Sequence, residues 1–110
     1  MNLAEELSSK FDIDEMFEKG RGAANFLKAM AHEGRLMILC HLIMGEKSVT
    51  ELENLLSSRQ AAVSQQLARL RIEGIVSFRR DGKAIYYSIK DEKVLKLVSL
   101  LYDEFCAKDN

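Results

Sequence analysis

The stretch SVTELENLLSSRQAAVSQQLARLRIEGI, residues 48–75, decides the fold. It opens on Ser48-Val49-Thr50-Glu51, the spacing of a capping box, in which the serine hydroxyl accepts from an orphan amide and the glutamate reaches back to the serine amide. A short helix is therefore expected to run to Leu56. Ser57 and Ser58 then offer N-cap oxygens to a second helix ending at Ile72, whose apolar residues Val63, Leu67 and Leu70 share one inward face. Gly74 suits the left-handed position that closes such a helix. The stretch reads as two short helices joined by a tight turn.

Downstream, the apolar period changes to two. Segments 75–80 and 83–89 are rich in β-branched and aromatic residues and are separated by Asp81-Gly82, a favoured pair for a two-residue hairpin turn. Tyr86 and Tyr87 are neighbours on a strand, so one should pack and the other face outward. Upstream, residues 14–31 form a helix interrupted in composition by Gly20 and Gly22, its weak point. Residues 33–44 carry Leu36, Leu39, Cys40 and Ile43 on one stripe, with Gly45 as the stop. A last helix over about 92–107 aligns Val94, Leu97, Val98, Leu101 and Phe105, widened by Leu95, Leu100 and Tyr102, which is more apolar surface than a small monomer needs. The order helix, helix, capped helix, turn, helix, hairpin, helix predicts a mainly α fold with a β-hairpin wing: a winged helix-turn-helix in one domain spanning 1–110.

Composition narrows the function. At 110 residues, 47% hydrophobic and 30% charged, the chain suits one soluble domain, too small for a large cleft between domains. Sharing a core with a second copy is the expected remedy. The longest apolar run is far short of the roughly 20 residues that span a bilayer. Glu5 and Glu6 stand where an export signal would be basic and then apolar, so a cytoplasmic protein with no membrane partner is expected. Two cysteines without CxxC or alternating Cys/His spacing fit a reducing compartment.

The formal net charge of -1 hides an asymmetry. Between Arg59 and Tyr87, six cations face two anions, a local balance of +4, while ten cations and fifteen anions elsewhere leave -5. On the second helix of the turn, Ala61, Ser64, Gln65, Ala68 and Arg69 face away from the apolar stripe, and Gln60 sits in the first turn. Glutamine can pair with adenine in two places and arginine with guanine, so this face suits base edges in a major groove. Arg79, Arg80 and Lys83 flank the hairpin tip, where cations neutralise phosphates. Singly, each feature also fits a solvated helix face or a charge-blunted strand edge. Together they point to double-stranded DNA.

Residues 31–39 (AHEGRLMIL), 62–71 (AVSQQLARLR) and 73–76 (EGIV) resemble the ArsR/SmtB winged-helix repressors, over about residues 24–106. The resemblance implies a homodimer joined through its first and last helices, bound to a promoter palindrome and released by an inducer. It departs from many relatives at Arg59, where they place a capping serine. Relatives that sense metals carry cysteines in the capped helix or histidine and acidic ligands in the last. Here Ser48 and Thr50 occupy the former positions and the last helix has no histidine, so the usual soft-metal ligands are missing. Cys40 and Cys106 are similar to the thiol pair of the persulfide-sensing, BigR/SqrR-type branch. That likeness implies reactive sulfur species as inducer, with a thiolate attacking a persulfide and the second cysteine capturing the product.

Other readings stay open beside it. A free cysteine on a core stripe, the position of Cys40, is often buried and serves as a small hydrophobe. His32 near a helix start suits a cap, and His41 points about 100° around the helix from Cys40, so neither fits a metal site. No cofactor is expected, although an ArsR-type repressor sensing another oxidant, a metal or heme remains an alternative, as does a helical protein-interaction module. A thiol peroxidase would need an activated thiolate and a pocket, and an enzyme is not expected.

Overall fold

The structure, a computed structural model, describes residues 2–5, 12–56 and 60–107, without the side chains of Gln60 and Ala61. Asp12 caps the first long helix by accepting the Glu15 amide at 2.7 Å, and helix α1 runs Ile13–Met30. Its C-terminal end packs on the body, through buried Ala29 and Met30 and half-buried Phe26. Helix α2, Glu33–Leu42, is capped by His32, whose Nδ1 accepts the Gly34 amide at 3.1 Å. Arg35 staples the two helices together, its Nη1 donating 2.8 Å to the carbonyl of Ala29 at the end of α1. That carbonyl end is where a helix dipole favours a cation.

A two-residue strand β1, Lys47–Ser48, leads into helix α3, Val49–Leu56. The capping box forms as read: the Ser48 amide donates to Glu51 Oε1 at 2.9 Å, and the Glu51 amide donates to Ser48 Oγ at 3.0 Å. Ser57, Ser58 and Arg59, to which the sequence assigns the next cap and its departure, lie outside the described residues. Helix α4 spans Gln60–Ile72. It closes at Gly74, φ +76°, with Gly74 N–H donating to the Arg71 carbonyl and Ile75 N–H to that of Leu70, the paired bonds of a Schellman motif.

Strands β2, Val76–Asp81, and β3, Ala84–Ile89, form the wing, and helix α5, Glu92–Phe105, follows from its Asp91 cap. The sheet order is β1-β3-β2, all antiparallel. The fold is the winged helix-turn-helix that the element order predicts, with β1 added.

Three details correct the sequence reading. The hairpin loop is Gly82-Lys83, not Asp81-Gly82, because Asp81 pairs with Ala84. The expected loop would set Arg80 directly opposite Lys83, a like-charge pair that disfavours that register. Helix α2 stops at Leu42 rather than Met44. Its buried face is centred on Ile38, Leu39 and Leu42, because α3, α4 and α5 all pack on it, so Cys40 lies at the margin of the core.

The core joins that face to Leu52 of α3, Val63, Leu67 and Leu70 of α4, Ile75 and Val76 leading into the wing, and Val94 and Val98 of α5. Among the described residues no polar or charged side chain is buried with them. Leu67→Ala should destabilise the fold by about 2–5 kcal/mol in chemical denaturation, since its site is fully enclosed and collapses poorly. The Ser48 amide and hydroxyl hold the Glu51 carboxyl below its ordinary 4.5, and the Lys93 amide holds that of Asp91 below 3.8. Both bind protons less tightly folded than unfolded. Their contribution is present above those ordinary values and is lost as pH falls through the lower folded ones, which acid titration followed by circular dichroism should show.

Candidate nucleic-acid interface

Burial of Val63, Leu67 and Leu70 fixes the rotation of α4. With 100° between successive residues, Ser64, Gln65, Ala68 and Arg69 must then face solvent, and all four are exposed. Gln60 and Ala61 form the first two positions of α4, and their side chains lie outside the described set. Arg69 is held by Glu73 one turn on, at 3.2 Å. Arg71 lies over the Phe78 ring, 4.9 Å from its centroid, joining the end of α4 to the base of the wing.

The wing divides its aromatic residues as alternation requires. Tyr87 packs against the core with its ring 5.8 Å from that of Phe78, whereas Tyr86 carries the Arg79 guanidinium at 4.6 Å. Arg79 also makes a two-bond fork to Glu46, Nε to Oε2 at 2.9 Å and Nη2 to Oε1 at 2.6 Å, with Asp81 at 3.8 Å. The hydrogen-bonded guanidinium holds the Glu46 carboxyl below the usual carboxylate range. Arg80 and Lys83 are exposed and have no ion pair among the described residues. The three wing cations are thus not equivalent. Sequence reading missed Glu46, which lies in a turn 33 residues from its partner and carries no local signal.

A groove of about 420 Å³ runs between the helix-turn-helix and the wing. Ser64 of α4 and Lys83 of the wing loop share its wall with Thr50 and Glu53 of α3. The fold therefore brings two of the sequence-selected residues, 19 positions apart, to one concave surface.

The thiols occupy other elements. Cys40 is half-buried on α2, and Cys106 is exposed at the C-cap of α5, donating its amide to the Tyr102 carbonyl at 2.8 Å. Burial pushes the Cys40 thiol above its ordinary value, and charge on Cys106 pushes it further the same way. The helices that carry the two cysteines, α2 and α5, pack together. His32 is spent as a cap. No cluster of three or more metal-binding side chains occurs among the described residues, and none of their helices is long and apolar enough to cross a membrane.

Comparison with known proteins identifies the family. Residues 32–77, which contain α2, α3, α4 and the start of the wing, match the model of the arsR family of bacterial regulatory proteins. The chain is 43% identical over 108 residues to the biofilm growth-associated repressor of Agrobacterium fabrum, covering 94% of this chain and 92% of that one. Among solved structures it resembles reduced HlyU from Vibrio cholerae, with TM-score 0.83 and 39% identity over 86% of this chain and all of that one. It also resembles the transcriptional repressor BigR from Xylella fastidiosa, with TM-score 0.79 and 42% identity over 89% of this chain and all of that one. Both the wing geometry and these likenesses lead to one assignment: the chain belongs to the ArsR family of bacterial regulatory proteins, DNA-binding transcriptional regulators and not enzymes.

Proposed function

We propose that this protein is a thiol-based transcriptional repressor of the reducing cytoplasm. Its single domain, spanning residues 1–110 with α1 and α5 as dimerisation helices, binds promoter DNA as a homodimer while its thiols are free. It leaves when a persulfide joins Cys40 to Cys106. The observation that carries the reading is the packing of α2 against α5, the two helices that carry a half-buried thiol and an exposed one. The relatives titled repressors favour the same regulatory sense.

The two thiols suit successive roles. Exposure makes Cys106 the attacker: its thiolate takes the sulfane sulfur of R–S–SH, releasing R–SH and leaving a persulfide on Cys106. The Cys40 thiolate then attacks the inner sulfur of that group, forming the Cys40–Cys106 disulfide and expelling hydrosulfide. If Cys40 has itself first been persulfidated, the same attack retains one extra sulfur in the bridge and again expels hydrosulfide. Each step exchanges sulfur for sulfur, the incoming persulfide being the oxidant.

Apolar surface supports the dimer. Phe17 on α1 and Phe105 on α5 are 70% and 82% exposed, and Leu27 and Leu100 are half-exposed. A lone small domain rarely leaves such faces to water, and two copies joined through them would set the separation of the two α4 helices. A bridge between α2 and α5 strains that junction, and half-site spacing tolerates little misfit. In this reading Gln60, Ala61, Ser64, Gln65 and Arg69 meet bases or nearby backbone, and the exposed cations of the wing tip, Arg80 and Lys83, serve the phosphates.

The test is DNA affinity measured before and after treatment with an organic persulfide. Wild type should lose about 5- to 150-fold, the usual range of allosteric coupling, while Cys40→Ser and Cys106→Ser keep their affinity. Unchanged wild-type binding would remove the sensing claim. Intact mass should show two alkylatable thiols lost together. Without persulfide, iodoacetamide should label Cys106 first, and labelling of Cys40 should lag and accelerate as pH rises past the ordinary thiol range.

A further inference from the structure

We propose that Glu46 and Arg79 form a strut that positions the wing, and that Arg80 and Lys83, not Arg79, are the wing's phosphate contacts. The proposal rests on the DNA-binding reading alone and is independent of the thiols.

The guanidinium of Arg79 is already engaged along its edges and on one face. One edge forks to Glu46 at 2.9 and 2.6 Å, Nη1 faces Asp81 at 3.8 Å, and its plane lies over Tyr86. Bidentate recognition of a phosphate would require that fork to open. The local charge also discourages it, since one cation stands among two carboxylates. Arg80 and Lys83 meet neither obstacle among the described residues.

The strut also has something to hold. Arg79 stands on β2, opposite Tyr86 of the central strand β3, and Glu46 immediately precedes β1 on the far side. The fork therefore crosses the sheet over Tyr86 and ties its outermost strand to the turn after α2. On the other face Tyr87 packs on the core, and the Phe78 ring opposite it on β2 lies against it. Clamped on both faces, the hairpin has its angle to α4 set before any duplex arrives, which spares the cost of ordering it on binding.

Strut and reserve phosphate contact predict opposite signs at Glu46. If Glu46 merely occupied a cation meant for DNA, removing it would tighten binding and steepen the salt dependence. If it braces the wing, removing it weakens binding and leaves the slope alone.

The measurement is fluorescence anisotropy of the full-length reduced protein, over a range of salt, on one duplex that the wild-type chain selects from a random-sequence library. Glu46→Gln, Glu46→Ala and Arg79→Ala should each weaken binding about three- to thirtyfold, and the double Ala variant no more than either single one, as for partners in one interaction. Their log-log salt slopes should match wild type, whereas Arg80→Ala and Lys83→Ala should each flatten the slope by about 0.9, the value of one phosphate. The exchange Glu46→Arg with Arg79→Glu rebuilds the pair reversed and should restore affinity, which keeps the test decisive if a single variant folds poorly. Tighter binding by Glu46→Ala, or a slope flattened by Arg79→Ala, overturns the proposal. A wild-type chain that selects no duplex removes the DNA reading and the strut's role with it.

Discussion

The structure depends on the burial of one helical stripe. Val63, Leu67 and Leu70 sink into a core supplied by α2, α3, the base of the wing and α5, and this fixes both the depth and the rotation of α4. Because a helix has one set of angular positions, hiding these three residues determines which residues are presented to a partner. A polar substitution on the outward face can alter the surface α4 presents without altering where it lies. A change on the inward face affects both.

Much of this was legible because its determinants are local. The capping box needs four consecutive residues, the Schellman stop needs one glycine, and the stripe of α4 needs one period. What escaped were features settled between distant segments. The hairpin register depends on which residues end up opposite each other: Gly82 fits either loop, and separation of Arg80 from Lys83 decides between them. The burial of α2 depends on the elements that pack on it, α3, α4, α5 and β3, which move Cys40 from the middle of a stripe to its margin. Glu46, in a turn, gains meaning only from Arg79 across the sheet.

The candidate site was legible in kind more than in detail. The sequence pointed to cations at the wing tip and polar residues on α4, and the fold gathers Ser64 and Lys83 at one groove. It did not distinguish the employment of the cations. An arginine count registers Arg69, Arg79 and Arg80 alike, yet Glu73 and Glu46 engage the first two, and Glu46, which lies outside the segment, lowers the free positive charge below the local balance of +4. The thiols follow the same logic: two cysteines alike in composition differ in exposure, Cys106 open to solvent and Cys40 half-buried.

Ser48 serves two neighbours at once. Its backbone pairs with Tyr86 in the sheet while its hydroxyl and amide complete the box that starts α3. One residue is thus the common hinge pin of the wing and the helix-turn-helix. Inserting or deleting a residue between Ser48 and Glu51 would have to misplace either the strand pairing or the cap, whereas lengthening the hairpin at Gly82-Lys83 would disturb neither. The architecture can vary its tip freely but has almost no slack at its root.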